Sequence, residues 1–128
     1  MAYLLDTVAL VRWWGGKPTL GQAARDVLQD EDRPVHVSAV SVWEIANKIR
    51  IGKMLDLPGF AQRFPAMMRG SGFTMLPLSA DHAMCAGFLP GAHRDPFDRL
   101  IAGQAIVEGM TVLTNDPELA AFGCEVLW

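Results

Sequence analysis

The sequence predicts an α/β fold in which a mainly parallel β-sheet is covered on both faces by helices. Short apolar stretches alternate with amphipathic helical patterns along the whole chain, which is typical of βα units built around a parallel sheet. The chain has 128 residues, enough to enclose one core, and shows no internal repeat or shift in composition. We therefore expect a single domain over residues 1–128.

The first half of the chain predicts two strands and four helices. Strands are expected in the short apolar stretches "AYLLD" and "VHVSA". Helical spacing of apolar residues is found in "TVALVRWW", "LGQAARDVLQD", "VWEIANKIRI" and "LPGFAQRFPAMMRG". Ser41 is predicted to cap the third of these helices, with Glu44 completing a capping box. Pro65 falls inside the fourth pattern, which predicts a kink or a restart there.

The second half predicts three further strands and three helices. The strands are expected in "FTMLPL", "MTVLTND" and "CEVLW". Ser79 caps a helical pattern in "SADHAMCAGF", and "PELAAF" predicts a short helix. "DPFDRLIAGQAIVEG" is the clearest helix, since Pro96 takes an allowed first-turn position and Gly109 lies beyond its end.

Composition excludes several classes of protein. No apolar run reaches the roughly 18 residues that a membrane span needs, and the N-terminal stretch lacks the basic region of a signal peptide. Cys85 and Cys124 fit no metal or redox spacing, so we expect two buried, reduced thiols in a cytoplasmic protein. The net charge of −3 argues against binding nucleic acid over the whole surface, but not against local contact with RNA.

Acidic residues recur where predicted strands give way to helices. Asp6 ends the first strand, and Glu44 lies in the first turn of the helix after the second strand. Asp95 and Asp98 open the long late helix, and Asp116 ends the strand that follows it. In open α/β sheets, ligands bind at the carboxyl ends of parallel strands. We therefore expect these acids at one edge of the sheet.

Each acid also has a structural interpretation. Carboxylates near a helix N-terminus cap free amides and meet the positive end of the helix dipole, which would account for Glu44 and Asp116 individually. Asp6 differs, because it ends an apolar strand and a buried, unpaired carboxylate is costly. Several converging carboxylates raise one another's pKa values or require a cation. The joint pattern therefore indicates a site.

A cluster of carboxylates without histidine or cysteine favours a hard cation. Mg²⁺ and Mn²⁺ prefer oxygen ligands and commonly bridge to phosphate groups. Such an ion activates water and stabilises the charge that develops on phosphate and the leaving oxygen. The sequence therefore predicts phosphodiester hydrolysis, and leaves open whether one or two ions take part.

With these residues in place, the chain resembles a PIN domain of the VapC type, the toxin ribonuclease of bacterial toxin–antitoxin pairs. The resemblance covers essentially the whole length. Its carriers are "LLDTVAL", "SAVSVWEIANKIRIGKM", "HRDPFDRLIAGQA" and "VLTNDPELAAF", which match in order, spacing and flanking residues.

The resemblance implies a small three-layer α/β/α sandwich that cleaves RNA internally with Mg²⁺ or Mn²⁺. It implies Asp6, Glu44 and Asp98 as the core catalytic and metal-binding acids, with Asp116 as a more variable fourth. Asp95 is the extra acid of "DPFD" members, either a metal ligand or a helix cap.

The resemblance also implies two protein partners. One is a cognate antitoxin whose C-terminal segment lies across the cleft and blocks metal or substrate. The other is a second copy of the chain in a homodimer, to which Trp13 and Trp14 could contribute.

Polar and basic side chains near the acids are candidate supporting residues. Hydroxyl and amide groups beside the acids can orient carboxylates or hold metal-bound water. The alternative is that they act only as caps and turn formers. The residues concerned are Thr7, Ser41, Thr114 and Asn115. Basic side chains near the acids can contact RNA phosphates or remain solvated, and these are Lys48, Arg50, Lys53, Arg94 and Arg99. Arg99 has a further alternative, an i,i+4 pair with Asp95.

Two other functions start from similar features. An aspartyl phosphotransferase or a receiver domain also has an acid after its first strand, but the chain lacks their paired early acids and late lysine. A non-catalytic interaction module would use its acids to hold arginines of a partner protein, or would bind RNA without cleaving it.

Overall fold

The computed structural model describes residues 1–92 and 95–128 and has one five-stranded sheet in the order β3-β2-β1-β4-β5. All four strand pairings are parallel. The strands are β1 Tyr3–Leu5, β2 Val35–Ser38, β3 Thr74–Leu76, β4 Thr111–Leu113 and β5 Val126–Leu127. The helices are α1 Thr7–Trp14, α2 Gln22–Gln29, α3 Ala39–Arg50, α4 Phe60–Ser71, α5 Ala80–Phe88, α6 Pro96–Glu108 and α7 Pro117–Ala121.

The sheet separates two hydrophobic cores, which makes the fold a three-layer α/β/α sandwich. Side chains alternate between the faces along a strand, and in β1 Leu5 joins one core while Leu4 joins the other. The first core receives buried residues of α1, α2, α3 and α4. The second receives Ile101, Ala102 and Ala105 of α6 together with Leu119 of α7. The predicted fold class is confirmed.

Helix α3 begins three residues earlier than the sequence predicted. Its N-cap is Ser38, the last residue of β2, whose Oγ accepts a hydrogen bond from the Val40 amide. Ser41 therefore lies inside the helix and is fully buried. The predicted capping box of Ser41 and Glu44 is wrong, because the strand runs into the helix without a connecting loop.

Helix α4 passes through Pro65 without restarting. A proline inside a helix cannot donate to the carbonyl four residues earlier, here that of Ala61. Both residues are exposed, so water can reach that carbonyl. The helix begins after Gly59, which has a left-handed backbone (φ 68°), a conformation that suits glycine.

Two predictions about composition can be compared with the structure. Cys85 and Cys124 are free, as expected, but each is only partly buried. Burial and the neighbouring Cys85 raise the pKa of the Cys124 thiol to about 11, so this thiol is protonated at neutral pH. Within the described ranges, no helix has the length and apolar character that crossing a bilayer requires.

Candidate metal-binding site at the carboxyl edge of the sheet

Asp6 follows β1, the central strand, and is only 6% exposed. It caps α1, because its Oδ1 accepts a hydrogen bond from the Ala9 amide at 2.7 Å. Its Oδ2 accepts a hydrogen bond from the Thr114 hydroxyl. The strand thus delivers a carboxylate into the interior, where one amide and one hydroxyl hold it in a single orientation.

The carboxyl group of Asp6 is hard to ionise. Its pKa is raised from 3.8 to about 6, mainly by burial and to a smaller extent by the negative charges of Asp98 and Asp116, against hydrogen bonds from Thr114 and Ala9 that lower it. Burial disfavours a charged carboxylate, and like charges nearby add to that effect. Three of the predicted acids therefore act on one another electrostatically at this edge of the sheet.

Thr114 connects two of these acids. Its hydroxyl donates to Asp6 and accepts a hydrogen bond from the Asp116 amide at 3.0 Å. Asp116 in turn caps α7, with its Oδ1 accepting from the Glu118 amide at 2.9 Å. A side chain 108 residues away in sequence therefore sets the orientation of Asp6. Asn115, the next residue, is exposed.

Glu44 lies on α3 and has a basic partner. Its Oε2 pairs with Lys48 Nζ at 3.0 Å, one helical turn further on, and its side chain is 13% exposed. In the absence of a metal ion, the Lys48 ammonium therefore supplies the positive charge that faces Glu44. The spacing of four residues would have indicated this pair from the sequence.

Helix α6 carries the remaining two acids at its start. Asp95 is the N-cap, with its Oδ1 accepting a hydrogen bond from the Phe97 amide at 2.9 Å. Asp98 lies in the first turn, close enough to Asp6 for its charge to raise the pKa of that residue. Capping thus accounts for one oxygen of Asp95, while the charge of Asp98 acts on the buried carboxyl group of Asp6.

A buried pair of hydroxyl groups ties the segments that carry Asp6 and Glu44. Thr7 Oγ1 and Ser41 Oγ lie 2.9 Å apart, and both residues are buried. Thr7 directly follows Asp6, and Ser41 lies almost one helical turn before Glu44. This hydrogen bond therefore joins the start of α1 to α3 next to two predicted acids.

The donor set fits a hard divalent cation in its chemistry. Asp6, Asp98 and Asp116 present only oxygen atoms, and the buried carboxylate faces two like charges that a cation would neutralise. Across residues 1–92 and 95–128, however, no three histidine, cysteine or acidic side chains are grouped closely enough to hold one ion. Glu44 pairs with Lys48, so binding a cation through Glu44 would require its carboxylate to exchange this ammonium partner for the ion.

The predicted RNA contacts have different surroundings. Arg99 is half-buried and donates to the carbonyl oxygens of Ala86, Leu89 and Gly91 at 2.8–3.2 Å. These bonds give Arg99 a structural role. Arg50 donates to Asn47 Oδ1 at 2.7 Å on an exposed face.

Lys53 and Arg94 are the two remaining predicted RNA contacts. Lys53 is exposed, so its charge is accessible to a phosphate group. Arg94 lies outside the described residues.

The structure also distinguishes the tryptophans. Trp13 and Trp14 are half-buried against the first core. Trp43 is 56% exposed and stacks on Phe97, with ring centroids 5.2 Å apart. These two rings lie in a surface depression with Ala39, Val40, Leu78 and Leu100, which we call the α3/α6 patch. Sequence reasoning missed this patch, because its residues come from three separate segments.

The fold and its acidic edge define a class of protein. Residues 3–123 match the model of the PIN domain, and the chain belongs to this family. It is similar to ribonuclease VapC22 of Mycobacterium tuberculosis, with 31% identity over 91% of this chain and 88% of that protein. It is also similar to ribonuclease VapC16 of the same organism, with 40% identity over 48% of this chain and 43% of that protein. The latter match spans less than half of the relative.

Solved structures share the fold at low sequence identity. A VapBC2 complex of Rickettsia felis bound to a promoter DNA fragment gives a TM-score of 0.73 at 18% identity, covering 99% of this chain and 98% of that chain. FitAcB of Neisseria gonorrhoeae gives 0.70 at 21% identity, covering 98% and 96%. A toxin–antitoxin complex of Klebsiella pneumoniae gives 0.65 at 16% identity, covering 99% and 97%. The resemblance drawn from the sequence is confirmed.

Proposed function

We propose that the chain is a Mg²⁺- or Mn²⁺-dependent endoribonuclease and the toxin of a toxin–antitoxin pair. The observation that carries this proposal is the buried carboxylate of Asp6 at the end of the central strand, with the charges of Asp98 and Asp116 bearing on it. The similarity to proteins named as VapC ribonucleases supports RNA as the substrate. The site would act in the cytoplasm, where RNA is available.

In this proposal Asp6, Glu44, Asp98 and Asp116 hold the metal, with Asp95 as a further candidate. A bound ion would activate water and stabilise negative charge on the phosphate group. Two protein contacts would hold the acceptor oxygens in place: the Ala9 amide on Asp6 Oδ1 and the Thr114 hydroxyl on Asp6 Oδ2.

Four further side chains take supporting roles in the proposal. The hydrogen bond between Thr7 and Ser41 would hold the start of α1 next to α3. Asn115 is a candidate to hold water at the site. A cation held by Glu44 would displace Lys48 from it, and the Lys48 ammonium group would then be available for an RNA phosphate.

RNA cleavage with and without metal tests the activity. The purified chain, stripped of any partner protein, is incubated with total RNA in Mg²⁺, in Mn²⁺ and in chelator. We expect cleavage only with a divalent ion, and none by Asp6→Asn. Asparagine keeps an acceptor for the Ala9 amide, so the fold should persist. Asp26→Asn, on the exposed face of α2, is the matched control and should cleave like wild type.

The same experiment decides between the proposal and a non-catalytic module. A binding module would retain RNA or a partner protein without producing new RNA ends. Cleavage that continues in chelator and in Asp6→Asn would contradict the metal site. Sequencing the RNA ends after brief expression in bacteria would identify the cleaved RNA.

The proposed partner is an antitoxin whose C-terminal segment crosses the acidic edge. The structural relatives include toxin–antitoxin complexes, which supports such a partner. We expect expression of the chain alone to arrest bacterial growth, and co-expression of its cognate antitoxin to restore it. Growth arrest by Asp6→Asn would show that the toxicity does not come from cleavage.

We also propose a homodimer, as the family resemblance implies. Trp13 and Trp14 pack against the core, so the α3/α6 patch is the better candidate interface. Among the residues that the structure describes, its lining is entirely apolar, which suits a contact between two copies across a twofold axis. We expect Leu78→Ser to shift the molar mass in light scattering from dimer to monomer. Phe88→Ser, at an 83% exposed position outside the patch, should not.

A further inference from the structure

A buried amide lies on the helix that carries Asp98. Gln104 is fully buried, with an exposed fraction of 0%. Its Oε1 accepts a hydrogen bond from Ser38 Oγ at 2.5 Å, and its Nε2 donates to the Pro77 carbonyl at 3.3 Å. Both ends of the amide are therefore bonded, which is what a buried polar side chain requires.

The two partners of Gln104 mark the carboxyl ends of neighbouring strands. Ser38 ends β2, and Pro77 directly follows Leu76 at the end of β3. Ser38 and Leu76 are partners in the parallel register. Gln104 therefore joins α6 to two strand ends at the edge of the sheet that carries the acids.

By themselves, the apolar contacts of α6 do not fix how far this helix is shifted along its own axis relative to the sheet. The helix packs on the sheet through Ile101, Ala102 and Ala105, and two of these side chains are only methyl groups. Hydrophobic packing is not directional, whereas hydrogen bonds weaken steeply with misalignment. The amide of Gln104 supplies a directional contact between α6 and the ends of the strands, whereas the hydrogen bonds of Arg99 join the same helix to α5 and the residues after it.

Asp98 lies six residues before Gln104 on the same helix. At a rise of about 1.5 Å per residue, the two residues are separated by about 9 Å along the axis. A helix is stiff over this length, so a shift at Gln104 moves Asp98 by a similar distance. On the other side, Gly103 approaches α5 so closely that an added Cβ would lie 2.8 Å from Ala86. The helix therefore has little freedom to move sideways.

We infer that Gln104 is a positioning residue that holds Asp98 opposite Asp6 by fixing α6 to the ends of β2 and β3. The inference rests on the proposed function, in which Asp98 is a metal ligand. An apolar side chain of similar length would fill the same volume without the cost of burying an amide. The role that we assign to the hydrogen bonds of Gln104 with Ser38 and Pro77 is therefore to fix where α6 lies on the sheet.

The test compares Gln104→Met with a core variant in the other layer. Val27→Ala, on α2 and fully buried, removes core volume far from α6, and its loss in melting temperature serves as the stability reference. Without metal, we expect Gln104→Met to change the amide NMR shifts of Asp98 and Phe97, and Val27→Ala to leave them unchanged. In a Mn²⁺ titration, we expect Gln104→Met to raise the half-saturating concentration about tenfold. Val27→Ala should leave it within about twofold of wild type.

RNA cleavage adds a second readout, measured for Gln104→Met and Val27→Ala side by side, because Mn²⁺ also stabilises the folded state of any variant that binds it. Excess Mn²⁺ should restore the kcat of Gln104→Met, since the ligands are displaced and not removed. If Gln104→Met fails to fold, Gln104→Leu replaces it, because leucine is also a good helix former and removes both hydrogen bonds without adding a charge. We expect a shift in the same direction from that variant.

The outcomes separate the inference from the proposed function. Unchanged Asp98 shifts and unchanged Mn²⁺ affinity in both Gln104 variants would overturn the positioning role. If wild type binds no Mn²⁺, the metal dependence of the proposed function fails, and the metal-free shifts still decide whether Gln104 places α6.

Discussion

Two regions of the protein gather acidic side chains, one at each edge of the sheet. At the amino edge, the turn before β2 carries Asp30, Glu31 and Asp32, and Asp30 pairs with Arg33 Nε at 3.1 Å with both side chains more than 40% exposed. At the carboxyl edge, Asp6 is 6% exposed, and burial together with neighbouring charges raises its pKa to about 6. The number of acids is similar, but their solvation is not.

The difference between the two edges shows what makes a group of acids a site. Exposed carboxylates are stabilised by water and salt, so their mutual repulsion is weak. A buried carboxylate retains an unfavourable energy that a bound cation can relieve. We therefore expect substitutions at the carboxyl edge to change activity, and matched substitutions at the amino edge to have no effect.

The largest expected difference is between Asp98→Asn and Asp30→Asn. Asp98→Asn removes a proposed ligand and should lower RNA cleavage by about 100-fold or more at fixed Mg²⁺. It should also lower the pKa of Asp6, since one of the charges that raises it is gone. Asp30→Asn should leave both unchanged. Equal cleavage by the two variants would remove the distinction between the edges.

The second largest effect is expected in how the free energy of unfolding depends on pH. The pKa of Asp6 rises from 3.8 to about 6 on folding, so the protonated form favours the folded state. That contribution is fully present below about pH 4 and is lost as the pH rises through about 6; it corresponds to about 3 kcal/mol. In metal-free urea unfolding, Asp6→Asn should therefore lose this part of the pH dependence and be more stable than wild type at pH 7. The same stability for both proteins at pH 5 and pH 7 would contradict the burial of this charge.

Thr111 at the start of β4 and Thr114 directly after its end allow the two edges of the sheet to be compared with the same side chain. Thr114→Val removes the hydroxyl that orients Asp6, and we expect cleavage to fall about 10-fold. Thr111→Val changes a buried threonine at the start of the same strand, where its hydroxyl meets Glu125 Oε2 at 3.5 Å; its activity should match wild type. Thr114→Ser retains the hydroxyl and should restore most of the rate. A loss shared by Thr114→Val and Thr111→Val would indicate a general effect on the strand.

The smallest effect is expected from the ion pairs. Lys48→Met frees Glu44 from its partner, so the Mn²⁺ concentration at half-maximal rise in melting temperature should fall severalfold. Its metal-free stability should fall by no more than about 1 kcal/mol, because Lys48 is 40% exposed although Glu44 is only 13% exposed. Arg33→Met breaks the pair at the amino edge and should not change the Mn²⁺ response. A higher Mn²⁺ requirement in Lys48→Met would show that Lys48 supports the site and does not compete with the ion.

The sequence predicted the parts of the fold that depend on neighbouring residues. The order of strands and helices, the Ser79 cap and the end of α6 at Gly109 follow from local patterns and are found in the structure. The start of α3 was misplaced, because Ser38 and Ser41 are both suitable caps and only the extent of β2 decides between them. Asp6 and Asp116 cap helices that follow strands, Asp95 caps a helix that follows α5, and Glu44 lies inside α3. The role of these acids as ligands stays a prediction.

Contacts between distant segments lay beyond what the sequence could indicate. Thr114 bonds to Asp6 across 108 residues, and Ser38 bonds to Gln104 across 66. Which side chains meet at such separations depends on the strand order and on how α6 lies against the sheet. Local sequence patterns indicate neither the strand order nor the placement of α6, because residues far apart in sequence come into contact only after the chain between them has folded. The amino-acid sequence thus determined which residues are acidic, which elements carry them and that Asp6 ends an apolar strand. The tertiary structure decided which groups surround Asp6, because Thr114, Asp98 and Asp116 come from segments far away in the chain.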